Sequence, residues 1–206
     1  MSFSNSIVLK HRDLELSTLR FRDRTRYIDI RKKNREWLQP WDATLPKVQS
    51  SPQAIESRDL DPTSNSAFFS LLIAAKRSNS SGSGLILGMR TRGRLIGLIT
   101  AANLTYGAAR NFQVGYWIDS RYAGKGITPR AVALIIDYLI LERHFHRAEI
   151  AIRPENKASL RVVEKLQLRP EGLRPRYLHI DGGWRDHLIF AVDSSEIENG
   201  LVSRIS

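Results

Sequence analysis

The chain has 206 residues, 42% hydrophobic and 26% charged, with no cysteine and a formal net charge of +11. These proportions exclude a disordered chain, and the missing cysteine excludes disulfides, thiolate metal sites and a cysteine nucleophile together. The longest apolar runs, 132–136 and 188–192, fall far short of the ~18 residues of a membrane helix, and charge at Lys10, Arg12, Asp13 and Glu15 comes too early for a signal peptide.

A cytoplasmic protein with no membrane partner is the expectation. The sequence pI of about 10.3 suits a polyanionic partner such as nucleic acid or a phosphorylated cofactor, or simply a soluble basic surface.

In chain order, residues 9–19 predict a first strand, with Leu14 and Leu16 on one face. A helix follows over 23–38 and stops before Pro40. Its cluster Arg31, Lys32, Lys33 and Arg35 reads as a basic patch or a solvated helix face. Residues 52–77 form a second helical region interrupted near Pro62, its later part 67–76 apolar enough to dock on a sheet. The serine-rich stretch 78–84 reads as a flexible surface loop, too short to separate domains.

Strands are expected at 85–89 and 95–104, joined by the turn Arg92-Gly93, and at 112–118. A long helix spans 126–143, with Ile127, Ala131, Leu134, Tyr138 and Leu141 on its buried face. A strand at 148–152 and a helix at 156–166 come next. A hairpin of 173–180 and 184–192 then turns across Asp181-Gly182-Gly183. The polar tail 193–206 is expected to fray. Without repeats or a long linker, residues 1–206 read as one domain with its core at about 9–192. Helices between strands allow parallel neighbours and consecutive strands antiparallel ones, so the fold class is α/β or α+β with a mixed sheet.

The segment from Tyr116 to Ile127 carries the chemistry. A strand ends, a loop passes through Gly124 and Gly126, and a long helix begins. Unpaired N–H groups and the positive dipole end make such a start attractive to phosphate. Glycine lets the backbone approach closely, and Arg121 and Lys125 add charge. Pro129 is harmless in a first turn, where its missing N–H has no partner to lose. A Walker loop is excluded because Gly126 is followed by Ile127 and not by Lys-Ser or Lys-Thr. A dinucleotide fingerprint is excluded because Pro129 stands where its third glycine belongs.

Arg121-x-x-Gly124-x-Gly126, followed one strand later by Asn156-x-x-Ser159 at the next helix start, resembles the acetyl-CoA site of the GNAT N-acetyltransferase superfamily. Asn34-Arg35-Glu36-Trp37-Leu38-Gln39-Pro40-Trp41, the turn Pro154-Glu155-Asn156-Lys157, and Ile180-Asp181-Gly182-Gly183-Trp184-Arg185-Asp186-His187 are similar to the ribosomal-protein alanine N-acetyltransferases. The likeness spans about residues 9–192. It implies a mostly antiparallel GNAT-like sheet in which strand 112–119 splays from strand 148–152. It implies acetyl-CoA as cofactor, CoA as product and no metal.

By the same resemblance the pantetheine arm pairs with Trp117, Ile118 and Asp119. The diphosphate lies on the amides of Tyr122, Ala123, Gly124, Lys125, Gly126, Ile127 and Thr128, beside Arg121. Asn156 contacts the cofactor near the thioester, and Ser159 protonates the departing thiolate. Trp37, Trp41, Arg176 and Tyr177 are the acceptor-side candidates. Structural alternatives stay open: Asn156 is a natural N-cap, and Trp37 and Trp41 suit a core or lid. His187 suits packing within a strand, and His144 and His146 suit a helix end.

The implied reaction is direct acetyl transfer to the N-terminal α-amine of a protein, alanine or serine, with ribosomal proteins as the acceptor class. Implied partners are that acceptor and, beside it, rRNA, for a monomer or homodimer. An α-amine is roughly one-tenth neutral at pH 7, so only a weak base is needed. The position before Tyr177-Leu178, acidic in related enzymes, is Arg176; Glu36, Asp42 and Glu171 are the remaining carboxylates considered. A small-amine acetyltransferase acting on an aminoglycoside or polyamine, and a non-catalytic RNA-binding module, are the alternatives.

Overall fold

The computed structural model describes residues 7–46 and 61–205. The expected helical stretch at 52–60 lies outside them. The segment expected to be one first strand is a hairpin, β1 (Val8–His11) and β2 (Leu14–Thr18), because Arg12 adopts a left-handed turn at φ 55. The expected helix at 23–38 divides into α1 (Arg24–Lys33) and α2 (Arg35–Leu38). Asn34 makes the break. It is buried, its Nδ2 donates to the Ile30 carbonyl at 2.9 Å, and its Oδ1 accepts the Ser120 N–H at 2.8 Å. A short helical turn with Pro40 follows at Gln39–Trp41.

Helix α3 (Asn65–Ser81) runs through most of the stretch expected as a serine loop. Ser64 caps its start by accepting the Ala67 N–H at 3.1 Å, and Gly82 ends it at φ 76. Asn79 explains the extension. It is buried and brackets the backbone of Ile86, accepting its N–H at 2.9 Å. Strands β3 (Leu85–Thr91) and β4 (Arg94–Thr105) follow, then β5 (Asn111–Ile118).

Helix α4 (Ile127–Asp137) continues as a wider π turn over Tyr138–Glu142. Its buried face is Ala131, Val132, Ile135, Ile136 and Leu139, whereas Leu141, expected inside, is exposed. The extra residue in a π turn rotates the face, so a uniform helical period fails beyond Asp137. β6 (Arg147–Ile152), α5 (Lys157–Lys165), β7 (Arg169–Ile180) and β8 (Gly183–Asp193) complete the order. The hairpin between β7 and β8 turns on Asp181 and Gly182, both at positive φ, the pairing a two-residue turn demands.

The eight strands lie in the order β1-β2-β3-β4-β5-β6-β8-β7, antiparallel except for the parallel pair β5–β6. This is the mixed α/β fold with a mostly antiparallel sheet flanked by helices. Ile96 packs in the core under α4 and α5, while Leu95 packs with Tyr27 and Phe68 of α1 and α3. Adjacent strand residues face opposite ways, so the two helix pairs cover opposite faces. The tail expected to fray instead docks on α4. Ile197, Leu201 and Ile205 are buried, and Asp137 accepts the N–H groups of Leu201 and Val202 at 2.6 and 2.9 Å.

Candidate active site

The parallel strands β5 and β6 pair only from Asn111 with Arg147 to Gln113 with Glu149. Beyond Gln113 they diverge, while β5 stays paired with β4 to Ile118. A cavity of about 1330 Å³ opens there, between the end of β5, the starts of α4 and α5, and the segment 37–44. The Asp119 N–H donates to the Ile96 carbonyl of the β4 side at 2.8 Å. Alternation along a strand turns Trp117 the same way and leaves Ile118 facing the gap. The Trp117 and Asp119 backbone groups are thus engaged with β4. The Ile118 carbonyl, on the open side, accepts from Trp37 Nε1 at 3.2 Å.

The turn after β5 is set by Asp119, which is fully buried. Arg121 Nε donates to it at 3.0 Å, Arg26 Nη2 at 3.3 Å and Asn34 Nδ2 at 3.4 Å. Burial pushes its carboxyl up, but the Arg121 hydrogen bonds outweigh this and hold it below the usual range. The Tyr122 and Ala123 N–H groups close this turn on Asp119 and Ser120. From Gly124 to Thr128, no N–H has a protein partner among the described residues. Gly124 and Gly126 sit at φ 74 and 71, and no atom lies within 4 Å of where a Cβ on Gly124 would project. The open cradle therefore starts at Gly124, two residues later than expected.

The charge beside that cradle also differs from expectation. Arg121 is tied to Asp119, and Lys125 lies over the Tyr122 ring at 5.6 Å. Neither lines the cavity; Arg161 and Lys165 of α5 do. Neither of these has an ion-pair or hydrogen-bond partner among the described residues, and Lys165 Nζ stands 3.9 Å from the projected Cβ of Gly126. Lys157, Arg161 and Lys165 recur every four residues, one stripe of a helix; that spacing is the signal that would have found them. Five free N–H groups, two glycines and uncompensated cations fit a diphosphate, and the unpaired side of β5 fits an extended arm.

Asn156 is the N-cap of α5, its Oδ1 accepting the Ser159 N–H at 3.0 Å. Both residues line the cavity, so the cap and a ligand contact coexist. Tyr116, on β5, also lines it. Its hydroxyl oxygen is buried without a hydrogen-bond partner, although Ser159 is near enough to act on its ionisation. Burial pushes this phenol up to about 12 against that influence.

The far end is assembled from distant segments. Trp37, Trp41 and Trp117 line it with Asp42, Asp61 and Asp181. Arg153 lies over Trp41 at 5.3 Å and Arg31 over Trp117 at 5.4 Å. Backbone bonds strap this segment to the β7–β8 tip: Thr44 N–H donates to the His179 carbonyl and Asp181 N–H to the Asp42 carbonyl, each at 3.0 Å. Arg176 and Tyr177 do not line the cavity. The Arg176 N–H donates to Asp186 at 2.7 Å, and the Tyr177 hydroxyl accepts from Gln113 at 2.9 Å. Glu171, at the start of β7, is held by Arg147 and Arg169, and Glu36 is exposed; neither lines the cavity. His187 is buried, and desolvation lowers its pKa.

Residues 13–169 match the family model described as an acetyltransferase (GNAT) domain. The [Ribosomal protein uS5]-alanine N-acetyltransferase of Escherichia coli is 27% identical over 85% of this chain and 84% of its own. The probable N-acetyltransferase YjcK of Bacillus subtilis is 37% identical, over 48% of this chain and 55% of its own length. Among solved structures, RimJ of Mycobacterium smegmatis in complex with CoA-disulfide aligns with a TM-score of 0.82 at 28% identity, covering 97% of this chain and 92% of that one. The open cradle, the splayed strands and these matches agree: the chain belongs to the GNAT family and is an acetyl-CoA-dependent N-acetyltransferase.

Proposed function

We propose that this enzyme acetylates the N-terminal α-amine of a protein, with alanine or serine as first residue and ribosomal proteins as the acceptor class. One observation carries the reading: a single cavity joins the N–H cradle to an acceptor end walled by tryptophans and carboxylates. The Escherichia coli relative, named for acetylating an alanine of uS5, supports the acceptor class.

Acetyl-CoA supplies a thioester whose carbonyl the amine attacks. Gly124, Gly126, Ile127 and Thr128 would hold the diphosphate through their N–H groups, with Arg161 and Lys165 adding charge. Ile118, whose backbone faces the gap, would hold the extended arm and present its N–H to the developing oxyanion. Ser159 would give a proton to the leaving sulfur, and Asn156 would orient the group beside it. The acceptor's proton needs only a weak base, because an α-amine near pKa 7.7–8 is already about one-tenth neutral at pH 7. Asp42, Asp61 and Asp181 face the acceptor end. Those three carboxylates also favour a second reading, a small polyamine acceptor.

Acetylation of peptides beginning Ala or Ser, of the same peptides with a blocked α-amine, and of spermidine separates the readings. Transfer to the free α-amines alone is expected; equal transfer to blocked peptides, through lysine, or to spermidine sinks the first reading. S159A is expected to lower kcat by about 10²-fold with acetyl-CoA affinity unchanged by calorimetry.

A further inference from the structure

Arg31 is a cation without an obvious task. It projects from α1 into the acceptor end and is 5% exposed. Its Nη2 donates to Asp42 Oδ2, its guanidinium lies over Trp117 at 5.4 Å, and its Nε is buried with no partner. A buried donor left unpaired is costly, about 1–3 kcal/mol, and invites an acceptor from a ligand. Asp42 is fixed from behind, its carbonyl accepting the Asp181 N–H, while its carboxylate Oδ1 has no partner among the described residues.

We infer that Arg31 and Asp42 form a two-part receptor for an amine with a carbonyl on the adjacent carbon: Asp42 takes the amine and the Arg31 Nε–H donates to that carbonyl. This rests on the N-terminal acceptor reading and narrows it. An α-amino residue carries amine and carbonyl on one carbon, so one rigid unit reaches both partners. A lysine side chain or a polyamine offers only the amine. The aromatic floor of Trp117 keeps the guanidinium in plane, and the fork geometry that Arg31 presents is not available to lysine.

The test compares a peptide beginning with alanine and its isomer beginning with β-alanine, in which one more carbon separates amine from carbonyl. Rates are taken per neutral amine. The unaltered enzyme is expected to prefer the alanine peptide by at least about tenfold in kcat/KM. R31K is expected to erase that preference with acetyl-CoA affinity retained. D42N, at a half-exposed residue, is expected to raise KM for both peptides about tenfold. An unaltered enzyme that acetylates both isomers alike overturns the inference and leaves the N-terminal reading standing. So does an R31K enzyme that keeps the preference, as a pair satisfied by water alone gives. Failure to acetylate either peptide, with acetyl-CoA bound, overturns the acceptor reading and the inference together.

Discussion

At one end of the cavity a ligand meets backbone; at the other it meets side chains from several separate elements. The cradle needs only a strand end, two glycines at positive φ and the first turn of α4, all within residues 118–128. The acceptor end needs Arg31 from α1, Trp37 and Trp41 beyond Asn34, Trp117 from β5, and the β7–β8 tip that straps Asp42 and Thr44 in place. A local motif can carry the first in any sequence context. The second exists only when the whole sheet has closed, so it is where members of one family can diverge in acceptor while keeping one cofactor.

The sharpest way to break this contrast is to damage the backbone end with a single charge. G124E is expected to weaken acetyl-CoA binding by at least about 100-fold, since like charges near 4 Å repel by a few kcal/mol at a partly solvated site. Gly124 has open space around a projected Cβ, so G124A adds only the strain of its positive φ. That is about 1–2 kcal/mol, a loss of roughly thirtyfold or less. Calorimetry with acetyl-CoA reads both. Equal losses in G124A and G124E would show that backbone strain, not phosphate, governs the loop.

A finer test concerns which cations serve the cradle. R161Q and K165Q are each expected to weaken acetyl-CoA about fivefold to tenfold, less at high salt. R121Q is expected to leave that affinity within about twofold and to lower stability instead. A large affinity loss in R121Q with none in R161Q would return the role to the loop.

The same distinction marks what the sequence made legible. The glycine loop, the caps at Asn156 and the hairpin turn at Asp181-Gly182 depend on neighbours in the chain, and each lies where the residues predict. Differences from the local reading come from forces acting at a distance. Arg121 reads as a phosphate ligand from its neighbours in the chain, whereas the fold pairs it with Asp119, buried by packing. Arg176 and Tyr177 lie near the expected acceptor position in sequence, yet neither lines the cavity: the Arg176 N–H donates to Asp186 and the Tyr177 hydroxyl accepts from Gln113. The tail looked polar, but Ile197, Leu201 and Ile205 recur every four residues and cover α4. Arg31 read as part of a solvated face, because nothing local shows that Trp117 and Asp42 close over it.

The smallest effect separates structural from ligand-binding charge by pH. Asp119 is fully buried yet held below the usual carboxylate range, because hydrogen bonds from Arg121 outweigh the cost of burial. A carboxylate whose folded pKa is depressed adds stability above its unfolded value of about 3.9, and that stability is lost as pH falls through the folded pKa. R121Q is therefore expected to be less stable than the unaltered enzyme by about 1 kcal/mol at pH 7. The low end applies because the Arg121 side chain is half in water and Arg26 and Asn34 remain on Asp119. The gap should hold from pH 7 to about pH 5 and close only as the pH falls below the unfolded value of about 3.9 and through the depressed folded pKa, where Asp119 becomes protonated in both proteins. Urea titrations across that range measure it. A gap that persists undiminished under acid conditions would mean that Arg121 stabilises the turn by packing, and that its charge is free for a ligand after all.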